Sequence, residues 1–187
     1  MPELEPSITR PLTTIGAVES RPPATPDKAA DAIETFLQRS ALPTEHLTLE
    51  NGSGLSRDEQ ITALSLADLL QSANASPVAQ VFIDSLPIAG VDGTMRNRLT
   101  HDGVGGNAHI KTGTLRDVRA IAGYVASADG NSYVVVSFIN DPHAESAREA
   151  HDNLLEWIYR GPEAALAAPV TETHGKPRKN PHQRGAH

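Results

Sequence analysis

The chain contains no cysteine. Disulfides, thiol nucleophiles and cysteine-built zinc sites are therefore excluded. That absence fits an exported and a cytosolic protein equally. No apolar run reaches the length needed to span a membrane. The opening residues, Met1-Pro2-Glu3-Leu4-Glu5-Pro6, lack the basic-then-apolar order of a secretory signal. Nor is there an excess of positive charge. Lys+Arg number 16 against 23 Asp+Glu, a formal net charge of -7, which argues against a nucleic-acid surface. Only the last stretch departs from this. Thr171 to His187 holds Lys176, Arg178, Lys179 and Arg184 against Glu172, and reads as a short solvated tail.

What is present is an ordinary globular composition. The 187 residues are 39% hydrophobic and 21% charged, enough for one domain with a real core. Three parts are expected. Residues 1–25 carry Pro2, Pro6, Pro11, Pro22 and Pro23 and read as an irregular lead-in. Residues 26–161 form the folded body. Residues 162–187 begin with an Ala/Pro stretch and end in the basic, disordered tail.

The body mixes two hydrophobic periods. Thr25-Pro26 suits an N-cap and first helical position. Behind it Ala29, Ile33, Phe36 and Leu37 share one face of a helix ending near Arg39. Leu47-Thr48-Leu49 reads as a short strand, and Asn51-Gly52-Ser53-Gly54 as a tight loop. Leu64 to Ser72 and Val78 to Ser85 read as helices, the latter stopped before Pro87. Val118 to Ala126 and Tyr133 to Ile139 are β-like, with Asp129-Gly130 as the turn between them. Both runs are apolar at nearly every position, as in strands covered on both faces. Ala147, His151, Leu154, Leu155 and Ile158 then recur at helical spacing, with Gly161-Pro162 as the stop. Leu154, Leu155 and Ile158 are expected on the sheet. The sum is an α+β body.

The chemistry-bearing motif is Lys111-Thr112-Gly113, with Thr114-Leu115 behind it. A Lys-Thr-Gly strand serves serine acyl-transferases that bind D-alanyl-D-alanine or penicillin, alongside Ser-x-x-Lys and a Ser-x-Asn motif. It does not stand alone here. Glu50-Asn51-Gly52-Ser53-Gly54-Leu55-Ser56-Arg57, then Leu86 to Thr94, then Lys111 to Leu115, then Ala122-Gly123-Tyr124 follow in order. This series resembles the C-terminal part of the D-alanyl-D-alanine carboxypeptidase/endopeptidases of the penicillin-binding protein 4 type, peptidase family S13. The resemblance runs from about Pro26 to Gly161.

The resemblance implies a penicillin-recognising, β-lactamase/transpeptidase-like fold, with helices packed on a five-stranded antiparallel sheet and an N-terminal portion missing from this chain. It implies a periplasmic or cell-envelope protein acting on peptidoglycan stem peptides ending in D-Ala-D-Ala. β-Lactams would acylate the same serine of an intact enzyme. No cofactor and no metal are implied. Lys111 is the candidate catalytic residue, an ammonium that polarises a serine nucleophile and favours the terminal carboxylate. Thr112 offers that carboxylate a hydroxyl. Gly113 lets an extended peptide approach the strand edge. By family analogy the backbone N–H of Thr114 is one oxyanion donor.

The departure lies in the nucleophile. The lysines are Lys28, Lys111, Lys176 and Lys179, and the residues three before them are Thr25, Ala108, Thr173 and Lys176. Ser-x-x-Lys is absent. Ser72-Ala73-Asn74 matches Ser-x-Asn in letters but falls after the glycine-rich loop, and reads as a helix end. Ser53 and Ser56 read as turn residues, Asp92 as a turn-fixing carboxylate, and Arg96 and Arg98 as a solvated helical turn or an anion-receiving pair. His101 and His109 have no shared face and no carboxylate partners for a metal. Three classes stay open: a family enzyme of which this chain is the C-terminal portion, a separate upstream chain being one place for its Ser-x-x-Lys; a non-catalytic remnant binding a D-Ala peptide or a partner; and an internally deleted or truncated product inactive alone. An apolar face is expected to lie partly uncovered near the Lys-Thr-Gly strand.

Overall fold

The structure is a computed structural model and describes residues 14–15, 23, 25–50, 52, 56–101 and 103–161. Most of the expected lead-in, the tail over 162–187, and Ser53 of the glycine-rich loop lie outside the described residues.

Helix α1 runs Pro26–Arg39, with Thr25 as its N-cap. The Thr25 hydroxyl accepts from Lys28 N at 3.3 Å, Asp27 sits in the first turn and Arg39 in the last, each matching the helix dipole. Ala29 and Leu37 are buried, but Phe36 is 59% exposed. The helical stripe is therefore narrower than the four-residue face the spacing suggests. Helix α2, Ala63–Asn74, is capped by Thr62, whose hydroxyl accepts from Ser65 N at 3.0 Å. Helix α3 spans only Ala79–Asp84 and has no side-chain cap. The strand expected at Leu47-Thr48-Leu49 shortens to one antiparallel bridge, Thr48 to Gln60. His46, at φ 63°, turns the chain sharply just before it, which leaves no room for a longer extended run.

Three strands follow: β1 Ala108–Leu115, β2 Val118–Ala126 and β3 Ser132–Asn140. They form an antiparallel sheet in the order β1-β2-β3. Among the described residues the sheet has these three strands, where the resemblance implies five. The β2–β3 turn is built by Asp129, which accepts from Asn131 N at 3.0 Å and from the Ser127 hydroxyl, and by Gly130 at φ 88°. The last helix, α4, runs Arg148–Arg160 and ends at Gly161, φ 87°.

Period two sorts the sheet into faces. Ala108, Ile110, Ile121, Val125 and Val135 point to one face and join Leu155 and Ile158 of α4 in the core, with Met95, Leu99 and Val104 from the preceding loop. Leu154 packs on the edge of this cluster. The other face meets α2 and α3. Tyr124 donates its hydroxyl to Leu70 O of α2 at 2.7 Å and stands edge-on to Phe82 of α3, ring centroids 6.4 Å apart. His109 Nδ1 lies 3.1 Å from Ile83 O. Helices on both faces explain why β2 and β3 carry few polar positions.

Candidate active site

Lys111, Thr112 and Gly113 lie in the middle of β1, and β1 is an edge strand. Its outer side is occupied only at the start. Ala89 N donates to Ala108 O at 2.8 Å, and Ile110 N donates to Pro87 O at 2.7 Å. These bonds fix which backbone groups face outward. In a strand they recur every second residue, so the N–H and C=O of Thr112 and Thr114 point off the free edge. Lys111 and Gly113 turn theirs to β2, opposite Ala122 and Ala120. No strand covers the outer edge at Thr112 and Thr114 among the described residues.

The side chains divide as well. Thr112 and Thr114 project to the face that carries α4; Lys111 and Gly113 project to the face that carries α2 and α3. Lys111 is exposed, and its ammonium donates to Thr112 O at 2.5 Å. A Cβ on Gly113 would come within 3.3 Å of the Ala120 side chain. The missing side chain thus gives clearance to Ala120 on the lysine face.

Thr112 is held by a residue that sequence reasoning missed. The Thr94 and Thr112 hydroxyls lie 2.8 Å apart. Thr94 ends the Leu86-to-Thr94 series, and that position was the only signal available. The turn carrying it is set by Asp92, which accepts from Ile88 N at 2.7 Å. Gly93, at φ 52°, packs where a Cβ would meet Pro87 at 3.0 Å. Thr94, Thr112 and Thr114 line a cleft of about 390 Å³ together with Arg98, Arg119 and Arg148.

Arg98 is not on a solvated turn, although it lines the cleft and its buried Nη2 lacks a well-directed hydrogen bond. It is 8% exposed. Its Nε donates to Asp152 Oδ1 at 2.9 Å, and Nη2 sits 2.7 Å from the same oxygen. Burial between loop and α4 accounts for this pairing, since a guanidinium removed from water needs a carboxylate partner. Arg96 is exposed and lies outside the cleft. Beside Arg98, His151 is buried, with Nε2 3.1 Å from the Ser137 hydroxyl. Burial holds its pKa below the ordinary histidine value, Arg98 lowers it further, and Asp152 opposes both. Ser137 does not line the cleft, so this pair ties β3 to α4.

The remaining candidates are structural in their contacts. Ser56 accepts from Asp58 N at 3.0 Å, a local turn. Ser72 and Asn74 are exposed at the C-terminus of α2. Arg57 pairs with Asp117 at 3.1 Å, both exposed, and holds that carboxyl below the usual range. His101 is exposed, and His109 is tied to α3. Among the described residues no three His, Asp or Glu side chains gather as metal ligands. No helix is long and apolar enough to cross a membrane, again among the described residues.

The architecture and motifs have relatives. A D-alanyl-D-alanine carboxypeptidase of Actinomadura sp. (strain R39) is 36% identical over 126 residues, covering 65% of this chain and 23% of that protein. A carboxypeptidase of Mycobacterium tuberculosis is 31% identical over 163 residues, covering 84% of this chain and 32% of that protein. Penicillin binding protein 4 of Haemophilus influenzae superposes with a TM-score of 0.67 at 23% identity, over 80% of this chain and 39% of that one. The chain thus spans between a fifth and two fifths of the length of these relatives. The family match itself covers residues 9–160. The α+β sheet and helices here are those of the penicillin binding protein 4 fold, and the chain belongs to the D-Ala-D-Ala carboxypeptidase 3 (S13) family.

Proposed function

We propose that this chain supplies the substrate strand of a serine-type D-Ala-D-Ala carboxypeptidase acting on peptidoglycan stem peptides at the cell envelope. The observation that carries this is the edge position of Lys111-Thr112-Gly113. The outward N–H and C=O of Thr112 and Thr114 have no strand partner among the described residues, and an extended peptide adds to such an edge by main-chain hydrogen bonds.

The division of β1 into two faces gives each residue a role. Lys111 is the catalytic cation, whose ammonium lowers the cost of moving the serine proton. The serine attacks the carbonyl between the two D-Ala residues. The Thr114 N–H, pointing off the edge, donates to the oxygen that gains charge. The C–N bond breaks and the terminal D-Ala leaves as the protonated amine. Water then hydrolyses the ester. Thr112 holds the terminal carboxylate. β-Lactams enter by the same attack.

With Ser-x-x-Lys absent, the chain alone forms no acyl-enzyme. The nucleophile belongs to sequence beyond this chain, in the same protein or on a separate upstream chain. The test is incubation with a fluorescent penicillin, denaturation, and a search for covalent label. No label is expected on the chain alone. Label that appears once an upstream fragment bearing Ser-x-x-Lys is added supports the reading. Stoichiometric label on the chain alone, abolished by substituting Ser53, Ser56 or Ser72, overturns it.

A further inference from the structure

The two edges of the sheet are not alike. β1 is blunted: Pro87 and Ala89 bond to its first half, and Lys111 lays its ammonium on Thr112 O at 2.5 Å. β3, at the opposite edge, has no such cover among the described residues. We infer that the outer edge of β3 is a self-pairing surface, on which a second copy of this chain adds its own β3 antiparallel and makes one continuous sheet.

Backbone alternation says which groups are free. His109, Lys111 and Gly113 turn their N–H and C=O to β2, at Tyr124, Ala122 and Ala120. Gly123, Ile121 and Arg119 therefore turn theirs to Val135, Ser137 and Ile139 of β3. Val134, Val136 and Phe138 are left pointing outward. Burial agrees. β3 has α2 on one face, and on the other its Ser137 meets His151 of α4. Yet only Val135 is buried, and Tyr133, Val134, Val136, Phe138 and Ile139 stay half-buried. Apolar side chains left short of cover between two helical layers mark an open flank. Sheet edges that face water are ordinarily protected by a charge, a proline or a bulge. Ser132–Asn140 holds no charged residue and no proline, and its register with β2 runs unbroken. At nine residues it is also longer than the usual strand of about five or six.

The strand fits itself. A two-fold axis through Val136, perpendicular to the sheet, sets Val136 against Val136 of the second copy. Val134 then meets Phe138, Tyr133 meets Ile139, and Val135 meets Ser137. Every outward-pointing residue pairs with an outward-pointing one, as an antiparallel ladder requires. No like charges stand opposite each other, and apolar pairs fall on both faces. The axis keeps both α4 helices on one face and both α2 helices on the other. Such an isologous contact closes at two copies. Pairing of β3 on β1 would instead propagate, but Pro87 and Ala89 leave β1 room only for a short peptide.

The test uses the full chain. Sedimentation should show a dimer that dissociates on dilution. Amide exchange at Val134, Val136 and Phe138 should slow at least about tenfold as the dimer forms. Tyr133, Val135, Ser137 and Ile139, already bonded to β2, should not respond. The chain has no cysteine, so one introduced thiol reads the register. Val136→Cys meets its own copy at a Cα separation of about 5.5 Å, which suits a disulfide, and should cross-link under mild oxidation. Phe138→Cys lies about 14 Å from its own copy and should not. Val136→Pro removes the central donor and should abolish the dimer, since proline is tolerated where an edge N–H faces outward. Val81→Lys should keep it, because α3 is tied to β1 and β2 and not to β3. If the proline variant fails to fold, the two cysteine variants and the exchange pattern carry the test. A chain that is monomeric at every concentration, equal cross-linking of the two cysteine variants, or a dimer lost in Val81→Lys overturns the proposal. So does a monomeric chain whose Val134, Val136 and Phe138 amides slow only when an upstream fragment bearing Ser-x-x-Lys is added, since the edge then takes a strand of that fragment.

Discussion

At the scale of single residues, one task of the glycines in these motifs is backbone clearance. Gly123 shows this best. A Cβ there would lie 2.0 Å from His109 O, the carbonyl of the neighbouring strand. No side-chain rotation relieves a backbone clash, so β1 and β2 would have to separate at His109 and Ile110, next to Lys111. Gly123→Ala should therefore cost about 3 kcal/mol or abolish folding, read from the urea midpoint. A change under about 0.5 kcal/mol would show that the strands part without penalty. Tyr124, next in the same motif, acts through its hydroxyl. Tyr124→Phe leaves Leu70 O without its donor and should cost about 1–2 kcal/mol. Burial also raises the Tyr124 pKa, in keeping with a phenol that stays protonated and donates.

Sequence and structure also part at this scale for physical reasons. Lys111 and Thr112 are adjacent in one strand, so period two alone places their side chains on opposite faces. That separation was legible. Arg98 was not. Its partner Asp152 is 54 residues away, and nothing local marks a guanidinium for burial. The Thr94–Thr112 contact spans 18 residues and was equally hidden, although both residues stand in motifs.

At the scale of elements, the signals that survived were local ones. Thr25-Pro26 caps its helix because a threonine hydroxyl meets a free N–H one turn on. The Asp129-Gly130 turn forms because its side chain closes the loop on itself. The short strand near Thr48 failed because pairing is a non-local property, and its partner supplies one residue. The join between α4 and the rest is the element-level contact that matters most for the cleft. Asp152→Asn should cost about 2–3 kcal/mol by urea unfolding, since it leaves Arg98 buried without a countercharge. Wild-type stability in that variant would mean Arg98 finds water.

The same helix gives a pH dependence. The folded His151 pKa lies below 6.5, with burial the first cause and Arg98 the second. The folded state then disfavours the protonated ring, and the unfolded chain binds the extra proton. The contribution is full above pH 6.5 and is lost as pH falls through 6.5 toward the folded pKa. Melting temperature should drop between pH 7.5 and 5.5, and His151→Gln should flatten that drop. An equal slope in the variant would place the pH dependence elsewhere.

At the scale of the whole molecule, the described body has an uneven balance of burial. The core joins the sheet to α4 and the loop before β1, whereas the other face is thinly covered. The expected apolar exposure is found on the helices there and not on the Lys-Thr-Gly strand. Helix α3 buries none of its residues. Val81 is 74% exposed, Val78 62% and Phe82 36%, and their spacing puts all three on one helical face. What holds α3 is the edge-on contact of Phe82 with Tyr124 and the His109 bond to Ile83 O. Few buried contacts mean a low free energy of local opening, so the α3 amides should exchange with solvent well before those of β2. An apolar stripe of this kind in water also favours association. Light scattering of the chain should therefore rise with protein concentration, and Val81→Lys should lower it. That substitution removes an exposed side chain, so its cost to folding should stay within about 0.5 kcal/mol. Scattering that is flat with concentration, or unmoved by Val81→Lys, would show that the thin face of the sheet is stable in water as it stands.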